Sequence, residues 1–264
     1  MKDIFSIKGK VALVTGGSRG IGEMIASGFL ASGAKVYISS RKVEVCDATA
    51  ERLTKEFGSE CISIPADLSN IEGIELLANE VTNREAKLDI LINNAGASWG
   101  APIDEYPEMG WDKVMDTNVK GVFFLTQRLL PSLRNAAKKE NPSRIVNIGS
   151  VDGIKTGGFD AFAYGPSKAA LHHLTRILAA SLIKENIIVN AIAPGPFPTW
   201  MLSTGVGFGG ETDVDLGVVG EQNPSGRVGN MEDIAGVAIF LCSRASAYTV
   251  GQTITCDGGA VASS

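Results

Sequence analysis

Short apolar runs rich in β-branched residues alternate along this chain with segments of helical length, and no other feature constrains the fold as strongly. The sequence predicts seven strands, at residues 10–14, 35–39, 61–64, 88–93, 143–148, 187–193 and 253–255. It predicts helices between them, the first ending near residue 31 and the others at 42–57, 70–84, 111–137, 163–184 and 231–241. Strands and helices that alternate in this way form βαβ units, in which helices cover both faces of a parallel sheet. We therefore expect an α/β fold with a seven-stranded parallel sheet and helices on both faces.

The size and composition of the chain fit a single domain at residues 1–264. An α/β sheet often reaches about 250 residues as one domain. Hydrophobic residues make up 44% of the chain and charged residues 20%, which excludes wholesale disorder. The formal net charge is -5, so the chain has no basic excess for the phosphates of nucleic acid. We expect a small-molecule partner and no nucleic acid.

Three further features of the sequence argue against secreted, metal-binding and membrane-spanning proteins. The four cysteines lack C-x-x-C spacing, which is typical of a reduced, cytoplasmic protein. The two histidines are adjacent and no zinc-binding spacing is present, so we expect no metal. The N-terminus lacks the apolar core of a signal peptide, and no run approaches about 18 apolar residues, so we expect no membrane span.

A glycine-rich turn, Thr-Gly-Gly-Ser-Arg-Gly-Ile-Gly at residues 15–22, lies between the first predicted strand and the first helix. Glycines permit a tight turn and the close approach of a pyrophosphate, and the start of the helix offers unpaired N–H groups. The turn is not a P-loop, because Glu23 stands where that motif needs lysine. The sequence therefore predicts a Rossmann fold whose turn binds a dinucleotide through Gly16, Ser18, Arg19, Gly20, Ile21 and Gly22.

The end of the second predicted strand indicates which dinucleotide binds. An NAD-binding unit usually has a carboxylate here for the ribose 2′-hydroxyl, but this chain has Ser39, Ser40 and Arg41. The guanidinium groups of Arg19 and Arg41 suit a 2′-phosphate, which accepts charge-assisted hydrogen bonds. We expect NADP(H) rather than NAD(H), with Ser40 and Arg41 in contact with it. The alternative is that both arginines are ordinary surface residues.

Tyr164 and Lys168 lie four residues apart at the start of a predicted helix, so they share one of its faces. A phenol has a pKa of about 10, and a nearby ammonium group favours its ionised form. Ser150 follows the fifth predicted strand, and its hydroxyl could share a reacting oxygen with Tyr164. This pattern predicts acid–base chemistry on an oxygen atom, although a tyrosine and a lysine at this spacing also occur without any function.

Together these motifs resemble those of the short-chain dehydrogenase/reductase family, in its compact branch, over almost the whole chain. The matching motifs are T-G-x-x-x-G-x-G at 15–22, Asp67-Leu68, N-N-A-G at 93–96, Asn118, Ser150, Y-x-x-x-K at 164–168 and P-G-x-x-x-T at 194–199. The resemblance implies an NADP-dependent oxidoreductase acting on CH–OH donors. In the reducing direction it would transfer a hydride from NADPH to a ketone and give a secondary alcohol.

The resemblance also implies a role for each matching residue. Tyr164 would donate the proton, Ser150 would orient the carbonyl oxygen, and Asn118 would support a water in the proton relay. Lys168 would bind the nicotinamide ribose and favour the ionisation of Tyr164. The other implied cofactor contacts are Asp67, Leu68, Asn94, Ala95, Gly96, Pro194, Gly195, Phe197 and Thr199.

A finer resemblance, in residues 94–100, 144–154 and 164–171, is to bacterial NADPH-dependent β-ketoacyl reductases linked to rhamnolipid synthesis. It implies a 3-oxoacyl thioester or a similar ketone as substrate. The alternatives are a broad-specificity reductase of non-acyl ketones and a non-catalytic NADP-binding sensor. Residues 202–222 hold six glycines and show no period, which predicts a mobile substrate lid. The expected pocket residues are aromatic: Trp99, Phe159, Trp200 and Phe208.

The remaining expectations concern the histidines, the assembly and one further class of enzyme. His172 and His173 cannot both face the site from one helix, so we expect packing or subunit contacts from them. The resemblance implies a homodimer or homotetramer built on the helices near 111–137 and 163–184. A serine hydrolase is disfavoured, because Ile148 and Asp152 occupy the glycine positions of the G-x-S-x-G motif.

Overall fold

The computed structural model describes residues 3–157, 160–203, 205 and 214–263. Within them, one sheet holds the strands β1 Val11–Thr15, β2 Lys35–Ser39, β3 Cys61–Ser63, β4 Ile90–Asn93, β5 Ser143–Ile148, β6 Ile187–Pro194 and β7 Thr253–Cys256. Their order across the sheet is β3-β2-β1-β4-β5-β6-β7, and each pairing is parallel. This architecture confirms the predicted single-domain Rossmann fold, and each predicted strand lies within two residues of an observed one.

Helices cover both faces of the sheet. The described residues form α1 Gly20–Ala31, α2 Val43–Phe57, α3 Ile71–Arg84, α4 Glu108–Met115, α5 Gly121–Ala136, α6 Tyr164–Leu182, α7 Trp200–Ser203, α8 Leu216–Gln222 and α9 Met231–Cys242. A π-helical turn at Asp116–Lys120 joins α4 to α5, and a 3₁₀ turn at Val151–Gly153 follows β5. In the part of the chain that the structure describes, no helix is both long and apolar enough to cross a membrane.

The apolar core has two parts, one on each face of the sheet, because successive side chains of a strand point to opposite faces. Along β1, Ala12 and Val14 belong to the first part and Leu13 to the second. The first part packs against α1, α2 and α9, and the second against α3, α5 and α6. Full burial of one large apolar side chain contributes roughly 1.5–3 kcal/mol, so this double layer fixes the sheet as a rigid base for the loops at its edge.

The prediction of one uninterrupted helix over residues 111–137 is wrong. Helical structure begins earlier, at Glu108, and the π-helical turn interrupts it, because the amide of Gly121 donates to the carbonyl of Asp116 five residues before it. Asn118 lies within this turn and is completely buried. The apolar periodicity of the segment therefore indicated helix correctly but could not reveal the one-residue offset.

The prediction that residues 202–222 have no regular structure is also wrong for the parts that the structure describes. The segment begins within α7 and ends with α8. The carboxylate of Asp215 caps α8 by accepting hydrogen bonds from the amides of Gly217 (2.8 Å) and Val218 (3.4 Å), which offsets the low helix propensity of the glycines. Residues 204 and 206–213 of the predicted lid lie outside the described residues.

The strand order places a crevice at the carboxyl edge of the sheet, next to β1. The chain runs outward from β1 to β3 and then returns to the other side of β1 as β4. The connections that follow β1 and β4 therefore leave in opposite directions, and ligands of open α/β sheets bind at this switch point. The phosphate turn follows β1 and residues 94–96 follow β4, so the fold brings these two motifs to one place.

Candidate active site

The phosphate turn has the tight backbone that its glycines predict. Gly16 and Gly20 have φ angles of 64° and 57°, in the left-handed region that favours glycine. A Cβ atom at Gly22 would overlap the carbonyl oxygen of Gly16, so the turn folds closely on the start of α1. This geometry leaves the amide groups of the first helical turn at the carboxyl edge of the sheet, where they can bind an anion.

Hydrogen bonds tie the turn to the end of β4. The side-chain amide of Asn94 donates to the carbonyls of Thr15 (2.8 Å) and Gly16 (3.2 Å). The hydroxyl oxygen of Thr15 accepts from the backbone amides of Asn94 (2.9 Å) and Ala95 (3.0 Å). Gly96, the next residue, is exposed, and a Cβ atom there would stand 3.6 Å from Nζ of Lys168. The crevice floor is thus one connected unit that extends from the phosphate turn to α6.

Arg19 and Arg41 are exposed at the outer end of this crevice. The guanidinium carbon of Arg19 lies 4.7 Å from the ring centroid of Trp200. No salt bridge among the described residues involves either arginine. Two exposed cations without a carboxylate partner, beside a glycine cradle, fit the 2′-phosphate and pyrophosphate of NADP.

The other predicted cofactor contacts surround the same crevice. Asp67 accepts hydrogen bonds from the amide (3.0 Å) and hydroxyl (2.9 Å) of Ser69, and Leu68 is buried. The backbone amide of Gly195 donates to the carbonyl of Cys256 (3.0 Å), and the backbone amide of Thr199 donates to the carbonyl of Phe197 (2.8 Å). A Cβ atom at Gly20 would stand 3.1 Å from Cγ2 of Thr199, so the segment after β6 reaches the phosphate turn.

Asn118 is fixed by three hydrogen bonds inside the protein. Its side-chain oxygen accepts from the amide of Ala97 (2.8 Å), and its Nδ2 donates to the carbonyl of Ala97 (2.9 Å) and to Oγ of Ser167 (2.9 Å). The Ser167 hydroxyl in turn donates to the carbonyl of Tyr164 (2.7 Å). Asn118 therefore joins the loop after β4 to the first turn of α6.

Ser150, Tyr164 and Lys168 meet at the carboxyl end of β5. The hydroxyls of Ser150 and Tyr164 are hydrogen-bonded to each other. Nζ of Lys168 donates to the carbonyl of Ile148 (2.9 Å) and lies 5.5 Å from the ring centroid of Tyr164. The amide of Asp152 donates to Oγ of Ser150 (3.1 Å), which orients that hydroxyl. The structure thus brings together the residues that the sequence selected from motifs on separate elements.

The pKa of Tyr164 differs from the sequence-based expectation. Burial, and after it the negative charge of Asp152, raise the pKa of Tyr164 to about 12, although the hydrogen bond from Ser150 opposes both effects. Burial also lowers the pKa of Lys168 to about 8, against the attraction of Asp152. Lys168, expected from the sequence to lower the pKa of Tyr164, is not among the groups that shift it, and burial raises it instead, so the phenol holds its proton at neutral pH.

Two residues of the site were not selected from the sequence as functional. Asp152 is half-buried beside the cluster of Ser150, Tyr164 and Lys168, and burial raises the pKa of its carboxyl group, against the attraction of Lys155 and Lys168. The Tyr106 hydroxyl donates to the carbonyl of Trp99 (3.0 Å) and accepts from the amide of Ala163 (3.4 Å), next to Tyr164. The position of Asp152, two residues after Ser150, was the one available signal, whereas no motif marks Tyr106.

The four aromatic residues predicted to line the pocket are only partly described. The ring of Trp99 packs on Gly110 of α4, with Nζ of Lys113 lying 5.1 Å from its centroid. Trp200 lies against Arg19, on the side of the phosphate turn. Phe159 and Phe208 lie outside the described residues. Among the described residues, no group of three or more His, Cys, Asp or Glu side chains could hold a metal ion.

Comparisons with known proteins cover nearly the whole chain. A family model described as enoyl-(acyl carrier protein) reductase matches residues 16–261. The rhamnolipids biosynthesis 3-oxoacyl-[acyl-carrier-protein] reductase of Pseudomonas aeruginosa is 50% identical over 259 residues, 98% of this chain and 99% of that protein. The 2-dehydro-3-deoxy-D-gluconate 5-dehydrogenase of Dickeya dadantii is 36% identical over 255 residues, 97% of this chain and 96% of that protein. The solved Pseudomonas aeruginosa RhlG/NADP active-site complex superposes with a TM-score of 0.89 at 50% identity, over 98% of this chain and 99% of that chain.

Proposed function

Since the chain belongs to the short-chain dehydrogenase/reductase family, we propose that it reduces the ketone of a 3-oxoacyl thioester to a secondary alcohol. The chain is an NADP-dependent oxidoreductase that acts on a carbonyl group. The thioester is the proposed part of this function, and it is supported by the substrate in the name of the Pseudomonas aeruginosa relative.

The observation that carries the proposal is the cluster of Tyr164, Ser150 and Lys168 at the crevice that the phosphate turn borders. The phenol is half-buried and protonated, and it is hydrogen-bonded to a serine hydroxyl that a backbone amide orients. Such a pair offers two hydroxyl groups to one oxygen atom. That arrangement suits a ketone oxygen on which negative charge develops.

The residues that would hold NADP are those of the crevice. The glycine cradle and the start of α1 would take the pyrophosphate, and Arg19 and Arg41 the 2′-phosphate. Residues 94–96 and 194–199 would line the adenosine and nicotinamide ends, and Lys168 would reach the nicotinamide ribose. When bound, NADPH supplies the hydride that reduces the ketone carbon.

The side chains of this protein would supply the proton and the alignment. Tyr164 holds a proton on its hydroxyl oxygen, because its pKa is raised to about 12, and would release it to the ketone oxygen. Ser150 would hold that oxygen in line with the phenol. Lys168 would return a proton toward Tyr164, and Asn118 would fix the loop and helix that enclose the path. Proton donation by a positioned group typically accelerates a reaction by about 10²–10⁴-fold.

Three features near the cluster favour an acyl chain over a sugar acid. Tyr106 and Phe162 form an edge-to-face pair with ring centroids 5.7 Å apart, just before Tyr164. Ile154, four residues after Ser150, is also exposed. These apolar surfaces suit an alkyl chain. The half-buried carboxyl group of Asp152 would repel the carboxylate of a sugar acid, which disfavours the substrate named for the Dickeya dadantii relative.

Initial-rate assays with acetoacetyl-coenzyme A and with 5-keto-D-gluconate, each with NADPH and with NADH, test the proposal. We expect kcat/KM for the thioester with NADPH to exceed that for the sugar acid by about 10²-fold. A faster rate with the sugar acid would replace the proposed substrate. Tight NADPH binding without turnover of either compound, or of a wider ketone panel, would favour the non-catalytic sensor.

Assembly, location and the lid complete the proposal. A homodimer or homotetramer is supported by exposed apolar side chains on the helices expected to pair, among them Trp111, Phe123 and Ile177. Light scattering would show only the mass of a monomer if the proposed assembly is wrong.

A cytoplasmic location is supported by four cysteines that are all free. We also propose that residues 202–222 cover bound substrate, and shortening this segment should then raise KM for the ketone more than KM for NADPH.

A further inference from the structure

One face of α6 contacts the end of β5 residue by residue. Tyr164, Lys168 and His172 follow each other at intervals of four on this helix, so they share a face. Tyr164 bonds to Ser150, and Nζ of Lys168 donates to the carbonyl of Ile148 at 2.9 Å. The first two positions of this face belong to the reaction proposed above. His172, the third, is 7% exposed and has no part in it so far.

The imidazole of His172 fills a notch made by two glycines on either side of Ser150. A Cβ atom at Gly149 would overlap Nε2 of His172 and stand 2.6 Å from Cδ2. A Cβ atom at Gly153 would stand 2.8 Å from Cε1 of the same ring. The flat ring of His172 therefore touches the backbone on both sides of Ser150. A larger residue in place of either glycine would overlap the ring.

We propose that His172 is a positioning residue, whose imidazole seats the backbone of residues 149–153 and thereby fixes where the Ser150 hydroxyl lies. This inference rests on the proposed function, because it acts through Ser150. On the other side of the notch, the amide of Gly149 donates to the carbonyl of Ile192 on β6 at 2.7 Å. The strand end is thus held between β6 and the ring, and Ser150 directly follows it.

The chemistry of the ring supports a role beyond filling space. Its Nε2 is buried without a hydrogen-bond partner among the described residues. Such an atom destabilises a fold, and an apolar side chain of similar size would avoid that cost. Burial and the neighbouring charge of Lys168 lower the pKa of His172 to about 4. The ring is therefore neutral near pH 7 and does not repel the ammonium group one turn away.

A size-exchange experiment tests the contact between ring and glycine. The φ angle of Gly149 is not in the left-handed region, and the three atoms nearest to a Cβ there all belong to the ring of His172. We expect Gly149→Ala to lower kcat by about 10- to 100-fold, because small displacements of reacting groups can reduce rates by this much. The double variant Gly149→Ala/His172→Ala should lose little more than either single variant, because both changes disrupt the same contact. A double variant whose loss equals the product of the two single losses would overturn the proposal.

A double-mutant cycle with Ser150 separates positioning from a general structural effect. His172→Ala should lower kcat by about 10- to 100-fold in the natural chain but much less in a Ser150→Ala background, because the residue it positions is then absent. The Kd for NADPH should not change, and His173→Ala, at the exposed neighbouring position, is the matched control. Equal losses in both backgrounds would overturn the proposal, as would an unchanged kcat.

The activities of the natural chain and of the His172 variants distinguish a failure of this inference from a failure of the proposed function. Inactivity of the natural chain on every ketone would refute the function, whereas an active natural chain with unaffected His172 variants refutes only the inference. If His172→Ala does not fold, as judged by thermal unfolding, His172→Gln takes its place in the same cycle. The decrease in kcat that His172→Gln causes is then compared between the natural chain and the Ser150→Ala variant.

Discussion

The polar groups around Tyr164 are held inside the protein, whereas Arg19 and Arg41, at the other end of the same crevice, face solvent. Asn118, Ser150 and Lys168 each make hydrogen bonds to the surrounding backbone. The two arginines form no salt bridge among the described residues, and the guanidinium group of Arg19 lies over the ring of Trp200. The end near Tyr164 is thus arranged before any ligand binds, and the phosphate end supplies charge from exposed side chains. We therefore expect changes at the first end to reduce kcat, and changes at the second to alter cofactor choice.

The largest expected effect is that of Tyr164→Phe, which removes the proposed proton donor and leaves the ring in place. We expect kcat for ketone reduction to fall by about 10²–10⁴-fold. NADPH binding, measured by fluorescence titration, should persist, because the crevice is unchanged. Tyr248→Phe is the matched control, since Tyr248 is fully exposed. A near-normal kcat for the Tyr164 variant would show that another group supplies the proton.

The next effect is that of Arg41→Glu, at the phosphate end. A hydrogen bond to a charged group contributes about 1.5–3 kcal/mol, so kcat/KM with NADPH should fall by roughly 10- to 150-fold. With NADH, which lacks the 2′-phosphate, the variant should differ little from the natural chain. Arg84→Glu, on the distant helix α3, is the control. An unchanged preference for NADPH would contradict the role of Arg41 and weaken the contrast between the two ends.

The smallest effect belongs to Asp152→Asn, which sharpens the electrostatic description of the catalytic end. Asp152 raises the pKa of Tyr164, so removal of its charge should lower that pKa. Alcohol oxidation needs the ionised phenol, and its rate at a fixed alkaline pH should therefore rise, by up to about tenfold per pKa unit. In a plot of the rate of alcohol oxidation against pH, the rise that accompanies ionisation of the phenol should move to lower pH. Asp104→Asn, at an exposed position, should not move it.

The fold was predictable because its strands are buried on both faces. β5 coincides with the predicted residues 143–148, and all six of its residues are buried. Segments whose structure depends on a few local hydrogen bonds were not predictable. The π-helical turn places Asn118 inside the protein, and α8 depends on the cap supplied by Asp215. Neither interaction changes the hydrophobic period from which the elements were predicted.

The site shows the same division. Motif spacing selected Ser150, Tyr164 and Lys168, and the structure brings them together, because β5 and α6 are neighbouring elements. The direction of the pKa shift of Tyr164 was not predictable, since it depends on burial and on the turn that brings Asp152 close. Packing was the expected role of His172, and its burial agrees with that. Its contact with Gly149 and Gly153 depends on the path of a loop that the sequence does not reveal.

The π-helical turn also has a consequence for how this chain tolerates changes of length. An α-helix advances about 100° per residue, so one residue more or less between α4 and α5 rotates everything before that point. With the π-helical turn at Asp116–Lys120, Trp111 is exposed on α4 while Asn118 is buried. Loss of a single residue from Asp116–Lys120 would turn the outer surface of α4 by nearly a third of a revolution, and with it the face that this helix presents to its surroundings. The number of residues in this turn, and not only their chemical nature, therefore connects the interior of the site with the outside of the molecule.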